Sequence, residues 1–516
     1  MKKVLLRLCT FFVLVGLMVG MAVPVSAEVD SGSCGENVTW SFDTSTKILT
    51  ISGKGEMKGS PWRESYKNMI EKVVIEDGVT SIASSAFYWC SNVESVIIPN
   101  SVTEIGTETF FSCWDLKSIN IPKSVISIGE YTFMNCPEAR QEENGIYYID
   151  KWVVGYDVYD SSIKNVVLRS DTVGIVEGTF SEGTSLTSIV LPDSLKTISY
   201  RAFEGCTGLT NVTFGNDVNE IGGSAFRGCT SLTNLVLPNS VNVIRDYAFS
   251  GCTNLASINI PSGVNNIYPG TFKDCVQLAQ VENGISYVDK WVIDYDGTIA
   301  NVSLRSDTIG IANSVFTECD DLISIIIPDG AKIIGSYAFE KCYNLKNVTI
   351  PDSITNIGRD AFRWCSELES IDIPNGISTV PYGAFEMCSS LKSVEIPDGV
   401  TTIEDYAFLG CSGIINLKLS NNITAIGEYA FQGCDNLVNI EIPNSIVTIG
   451  EGAFEYCSKS LEQIVVQNGN ENYHSDGNCL IDTKNKTVLL GCKTVLFQQM
   501  VVSRSLAIML FGSVPV

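Results

Sequence analysis

The chain has 516 residues, of which 45% are hydrophobic, with 34 Lys and Arg against 58 Asp and Glu, 18 Cys and a single His, for a formal charge of −24. So negative a chain argues against nucleic acid and anionic membrane surfaces as partners, and one histidine leaves almost no material for general-base or histidine–metal chemistry. Length alone would predict three or four domains, but a regular repeat overrides that count.

In chain order, residues 1–27 read as a secretory signal. Lys2, Lys3 and Arg7 form its charged start, Phe11 to Val25 its apolar run, and Val25-Ser26-Ala27 a small-residue cleavage site. Cleavage there removes three basic and no acidic residues, leaving a mature charge of −27 and no transmembrane span. Residues 28–69 read as a β cap. Val38 to Phe42 and Ile48 to Ile51 alternate apolar and polar residues around a turn at Asp43 to Lys47, the signature of a hairpin that covers the edge of a first coil. An alternative role for this cap is ligand binding, with Trp40 and Trp62 as platforms.

From residue 70 to 466 the chain keeps a beat. Phenylalanines recur at Phe87, Phe110 and Phe133, then from Phe180 to Phe272 and from Phe316 to Phe454; twelve of their fourteen intervals are 23 residues, and the other two are 47 and 44. A typical unit places Leu232, Leu235, Leu237, Val241, Ile244, Ala248, Phe249 and Cys252 at fixed offsets. Leu-x-x-Leu-x-Leu alternates with the period of a strand, so Leu235 and Leu237 point inward while Asn234 and Val236 point outward. Pro238 ends the strand and Asn239-Ser240 turns the chain. One unit cannot bury its apolar groups alone, so about eighteen coils must stack. The expected fold is a repeat solenoid with a parallel β-sheet on one face and irregular or short helical segments on the convex side.

These landmarks, Ile-Pro, Ile-Gly and Ala-Phe-x-x-Cys on a 23-residue unit, resemble the bacterial BspA-like class of leucine-rich repeats. The resemblance implies a parallel β solenoid displayed on or released from a cell, a role in adhesion and protein binding, and no chemistry.

The two long intervals are homologous. Asn144 to Trp152 and Leu168 to Thr172 match Asn283 to Trp291 and Leu304 to Thr308, defining inserts at about 144–172 and 283–308. Alternation around Asp157 to Asp160 and Asp294 to Gly297 predicts hairpins that protrude from the stack. Trp152 and Trp291 are the candidate insert contacts for a partner, with packing inside the hairpin as the alternative. A third, diverged copy occupies 467–494, beginning at Asn468-Gly469 and including Tyr473, Cys479 and Asp482.

Residues 495–516 abandon the pattern. A hydrophobic tail anchor is one reading, interrupted by Arg504. The other is a frameshift near Thr494 to Leu496: codons available to Gln498–Val502 and to Ile508 onward can encode, in an alternate frame, Thr-Asp-Gly-Ser and Asn-Ala-Phe-Trp-Gln-Cys-Ser, both repeat-like.

Fourteen of the cysteines occupy the Phe-x-x-Cys position. That spacing lacks the close pairs of a zinc site and is expected to form a stack of buried thiols, with disulfides as the alternative. His474 lies in a polar loop with no sequence neighbours that make a catalytic set. No catalytic, cofactor-binding or metal-binding residues are predicted.

Specificity is expected in the outward strand positions. One column is almost all Ser or Asn; the other passes from Val74, Ile97, Val190 and Val236 to Asp372, Glu395, Lys418 and Glu441. Ser370, Asp372, Ser393, Glu395, Asn416, Lys418, Asn439 and Glu441 are therefore the candidate partner-binding face. Cation binding or a glycosidase pair at Asp372 and Glu395 are alternatives to a solvated face. The chain is read as a non-enzymatic secreted or cell-surface protein that binds an extracellular protein or host-surface macromolecule. A carbohydrate-binding surface module and a structural spacer for a lost C-terminal domain are the alternatives.

Overall fold

The computed structural model describes residues 29–491, so the signal-like segment and the aberrant tail lie outside the described residues. The described residues divide into two compact units. One runs to Asp157 and adds Val173–Thr179, and the other comprises Val158–Thr172 and the chain from Phe180.

Both units are β solenoids. A regular coil contributes a strand of two to four residues, a turn, a second strand of two to four, and a run of turns that carries the phenylalanine. In the first unit Lys72–Ile75, Ser95–Ile97 and Ser118–Ile119 pair in parallel, Val73 opposite Val96 and Val96 opposite Ile119. A second parallel ladder joins Val79–Ile82, Glu104–Ile105 and Ser127–Ile128. The turn segment forms a third ladder of opposite sense: Phe87 N–H donates forward to the Thr109 carbonyl at 2.8 Å, whereas Thr103 N–H donates backward to Thr80 at 2.9 Å. At a regular junction, neighbouring coils thus satisfy one another's backbone groups on three sides, as a buried backbone requires. Among the described residues, helix is confined to Arg63–Tyr66 and two three-residue 3-10 turns.

The core is the phenylalanine column. Phe180, Phe203, Phe226, Phe249 and Phe272 stack with centroids 5.1 to 5.7 Å apart, as do Phe316 to Phe454 at 5.0 to 5.5 Å. In the cap, Val38–Asp43 and Ile48–Gly53 form the expected antiparallel hairpin, with Val29–Ser33 as an additional edge strand. Ile48–Gly53 then pairs in parallel with Lys72–Ile75 and so starts the first ladder. Trp40 and Trp62 are buried, which removes them as ligand platforms. Trp62 stacks on Phe87 at 5.8 Å and serves as the first ring of the column.

The inserts differ from expectation. Their turns fall at Asn144-Gly145 and Asp150-Lys151, not near Asp157, and at the matching Asn283-Gly284 and Asp289-Lys290. Each is a three-strand antiparallel meander that does not merely protrude: Trp152–Tyr156 pairs in parallel with Gly174–Ile175, and Trp291–Tyr295 with Gly310–Ile311. The hairpin thereby enters the second ladder. The third copy is also a meander, Tyr473–Asp476, Cys479–Asp482 and Thr487–Gly491, turning at Gly477-Asn478.

Candidate functional site

Alternation delivers the outward columns as expected. In Asn234–Val236 and Ser257–Asn259 the central Leu235 and Ile258 are buried and the flanking residues exposed. The small polar column is knitted along the stack: Ser188, Ser257 and Ser324 donate to the side-chain oxygens of Asn165, Asn234 and Asn301 at 2.6, 2.6 and 2.7 Å. Every hydrogen bond of this kind orders the face without contributing to the core. The second column begins apolar, with Val236 75% exposed, and becomes charged at Asp372.

All eight residues of the candidate face, Ser370, Asp372, Ser393, Glu395, Asn416, Lys418, Asn439 and Glu441, are exposed. Ser393–Glu395 and Asn416–Lys418 lie in register, so Glu395 stands opposite Lys418, and the two form an ion pair. The Glu395 carboxylate, bonded to the ammonium, raises the Lys418 pKa. Glu441 accepts from Gln467 at 2.9 Å. One column over, Lys392 pairs with Glu369 at 2.8 Å. Pairs this exposed are screened by solvent, so they pattern the surface more than they stabilise it.

The face is not uniform. Residues 370–373 form no strand, and neither ladder spans this junction: Asn347–Thr349 and Asn356–Ile357 end one set, and Thr379–Val380 and Ser393–Glu395 begin the next. Part of the cause is chemical. Gly358 N–H donates to Ile334 and Gly427 N–H to Ile403, but Pro381 occupies the same position and has no N–H to offer Ile357. The turn side still holds, with Phe362 N–H on Ala384 at 2.8 Å and Arg363 bridging Glu340 and Glu386. The face carries a depression of about 500 Å³, lined by Asp372, Asn375, Glu395, Asp398, Lys418 and Asn421. Sequence reasoning found Asp372, Glu395 and Lys418 but missed Asn375, Asp398 and Asn421. Those three lie in the turns that follow the strand positions, where no repeat column marks them.

Trp152 and Trp291 are 3% and 1% exposed, so they are not surface contacts. Each indole lies flat over the glycine of the parallel strand beside it: a Cβ at Gly174 or Gly310 would come within 2.4 or 2.6 Å of the ring. Of the repeat-adjacent tryptophans, Trp89 and Trp114 are exposed and Trp364 is half-buried.

The ladder cysteines are free thiols, buried except for the half-buried Cys319. Their sulfurs have a use beyond filling space. Cys206, Cys229 and Cys252 Sγ donate to the carbonyls of Phe180, Phe203 and Phe226 on the preceding coil at 3.0 to 3.1 Å. Burial pushes the Cys90, Cys206 and Cys388 thiols up to about 12, which keeps them protonated and unreactive at neutral pH. His474 is exposed, with Nδ1 2.9 Å from Thr483 Oγ1. Among the described residues no group of three or more His, Cys, Asp or Glu side chains is placed to hold a metal ion, and no helix is long and apolar enough to cross a membrane.

The chain matches the family model described as BspA type leucine rich repeat region (6 copies) over residues 64–148, 155–279, 294–415 and 379–492. No curated protein matches it. Among solved structures it is similar to a leucine-rich repeat protein from Eubacterium ventriosum (22% identity, 83% of this chain and 95% of that one, TM-score 0.34). It is also similar to a leucine-rich repeat protein from Bacteroides ovatus (24% identity, 84% and 99%, TM-score 0.28). A third is a leucine rich cell surface protein from Faecalibacterium prausnitzii (22% identity, 85% and 95%, TM-score 0.26). The family match spans most of the chain and rests on the same coil whose packing is described above: this protein belongs to the BspA-type leucine-rich repeat family.

Proposed function

We propose that this is a non-enzymatic secreted or cell-surface protein that binds an extracellular or host-surface protein through its exposed β face, between Ser370 and Glu441. The observation that carries this reading is the depression at Asp372, Glu395, Asp398 and Lys418. Inward positions repeat because stacking requires them; this stretch of the outward face is charged, varied and interrupted by a concavity. Exposed charged side chains that meet complementary charge on a partner give specificity and fast association. The charged then apolar start of the chain supports export.

The same depression is open to water and holds no buried acid, so it offers no means of setting two carboxylates to different protonation states, as glycoside hydrolysis needs. Binding of immobilised extracellular-matrix proteins and of a glycan array by wild-type protein and by Asp372→Ala/Glu395→Ala/Glu441→Ala tests the proposal. Protein binding that weakens at least about tenfold in the variant, and more steeply at low salt, supports it. Binding confined to glycans would make the face a carbohydrate module instead, and binding to neither would leave a structural spacer.

A further inference from the structure

The second insert opens the convex ladder. In a regular junction the N–H groups of the residue two before phenylalanine, of phenylalanine itself and of the residue two after it donate to the next coil: Tyr247, Phe249 and Gly251 to Pro269, Thr271 and Lys273, and Ser314, Phe316 and Glu318 to Ser336, Ala338 and Glu340. At the insert this stops. The following coil remains bonded to Ile267 through Asn313 N–H at 2.9 Å, but the hairpin wedges in beside it, and Ala312 N–H bonds to the hairpin at Val292. Gly270, Phe272 and Asp274 N–H then have no acceptor among the described residues. Phe272 has one ring neighbour, Phe249 at 5.7 Å, and Phe316 packs instead on Tyr295 from the hairpin at 4.9 Å.

The wedge leaves a notch of about 520 Å³, bounded by Gly270 to Val276 on the coil and by Ala279, Ser286, Ile293 and Asp294 on the insert. A homologous position exists in the first insert, and there it is plugged. Arg140 donates to the Phe133 carbonyl and lies 5.6 Å from the centre of the Tyr147 ring, and that ring packs against Gly155. Aligning Asn144-Gly145 with Asn283-Gly284 puts Ala279 where Arg140 stands and Ser286 where Tyr147 stands. Two large side chains that fill the first notch have become two small ones in the second. Both lie on the wall of the cavity.

We propose that the second-insert notch is a binding site for a peptide segment of another protein that carries an aromatic side chain. Its carbonyls at alternate residues would accept from Gly270, Phe272 and Asp274, and its ring would enter the notch beside Ala279 and Ser286, taking the place that the Ala-Phe segment of a following coil takes elsewhere. The three donors fall at every second residue of a run of turns, with Gly270 and Asp274 in the left-handed region, and the equivalent donors Ser314, Phe316 and Glu318 meet the carbonyls of a segment of the same conformation. The cavity lies within the size range of sites that bury small ligands. This site is distinct from the charged face and stands whether or not that face binds a protein.

The probe is the chain's own ladder segment, residues 336–341, as a capped fluorescent hexapeptide titrated into the full chain. Saturable binding with a Kd on the order of 100 μM is expected, as is loss of at least about tenfold when the peptide's phenylalanine is replaced by serine. Ala279→Arg/Ser286→Tyr restores the first insert's plug and is expected to abolish binding, with an unchanged circular dichroism spectrum and Tm. The peptide-side change keeps the test decisive if that variant folds poorly. Undiminished binding to a well-folded plugged variant would overturn the proposal, as would equal affinity for the serine peptide. Concentration-dependent dimerisation that the plug abolishes, without peptide binding, would overturn it in favour of a second copy of this chain as occupant.

Discussion

At the scale of the residue, the ladder cysteine combines two roles: it fills a small core site and donates to the phenylalanine carbonyl of the coil before. Its recurrence and burial were legible because a 23-residue period is visible to inspection. The bond was not, since it joins atoms 26 residues apart and depends on how far each coil is offset from the last. Denatured protein is therefore expected to give a full count of free thiols with a thiol reagent, and native protein almost none at pH 8 over the same interval. A raised thiol pKa means that the folded form holds protons which the unfolded form loses, so stability is fully present below the ordinary thiol value of about 8.5 and falls as pH climbs toward 12. Chemical denaturation at a series of pH values checks this; a midpoint flat to pH 11 would contradict it. The residue two after phenylalanine takes a left-handed backbone in coil after coil, by glycine at Gly205 and Gly228 but by Glu182 at the head of the second unit's column. Glu182→Gly should raise stability by about 0.5–1 kcal/mol, read as a shift in denaturation midpoint.

At the scale of the element, the inserts are where sequence reading succeeded in part. Homology between 144–172 and 283–308 was plain, and so was the presence of hairpins. Their turns and orientation were not, because Asn-Gly and Asp-Lys turns inside an apolar run compete with the polar stretch farther on. The side on which Trp152 and Trp291 lie was decided by Gly174 and Gly310, distant residues whose lack of a Cβ admits the indoles. Gly310→Ala should cost about 1–3 kcal/mol, seen as a lower Tm, because Trp291 has no direction in which to move. The broken ladders at residues 370–381 make a second prediction. Amides of Ile371 and Ile373 should exchange at least about tenfold faster than those of Val394 and Ile396, which belong to a paired strand or its direct bond to Lys418. Equal protection in hydrogen exchange would mean that the junction is closed in solution.

At the scale of the whole molecule, the division of labour is between columns that repeat and columns that vary. Phe, Cys, Leu and Ile positions were readable as core because stacking demands the same group in each coil. The charged face was readable as a change of composition, but the depression within it was not, since its lining includes the turn residues Asn375, Asp398 and Asn421. The proposed role of this face is to recognise a protein outside the cell. Its most direct measurement is the affinity of wild-type and Asp372→Ala/Glu395→Ala/Glu441→Ala protein for a panel of immobilised extracellular-matrix proteins, with Tm recorded for both. Saturable binding to at least one protein is expected, weakened about tenfold or more in a variant of unchanged Tm. Binding of equal strength in the two proteins would contradict it.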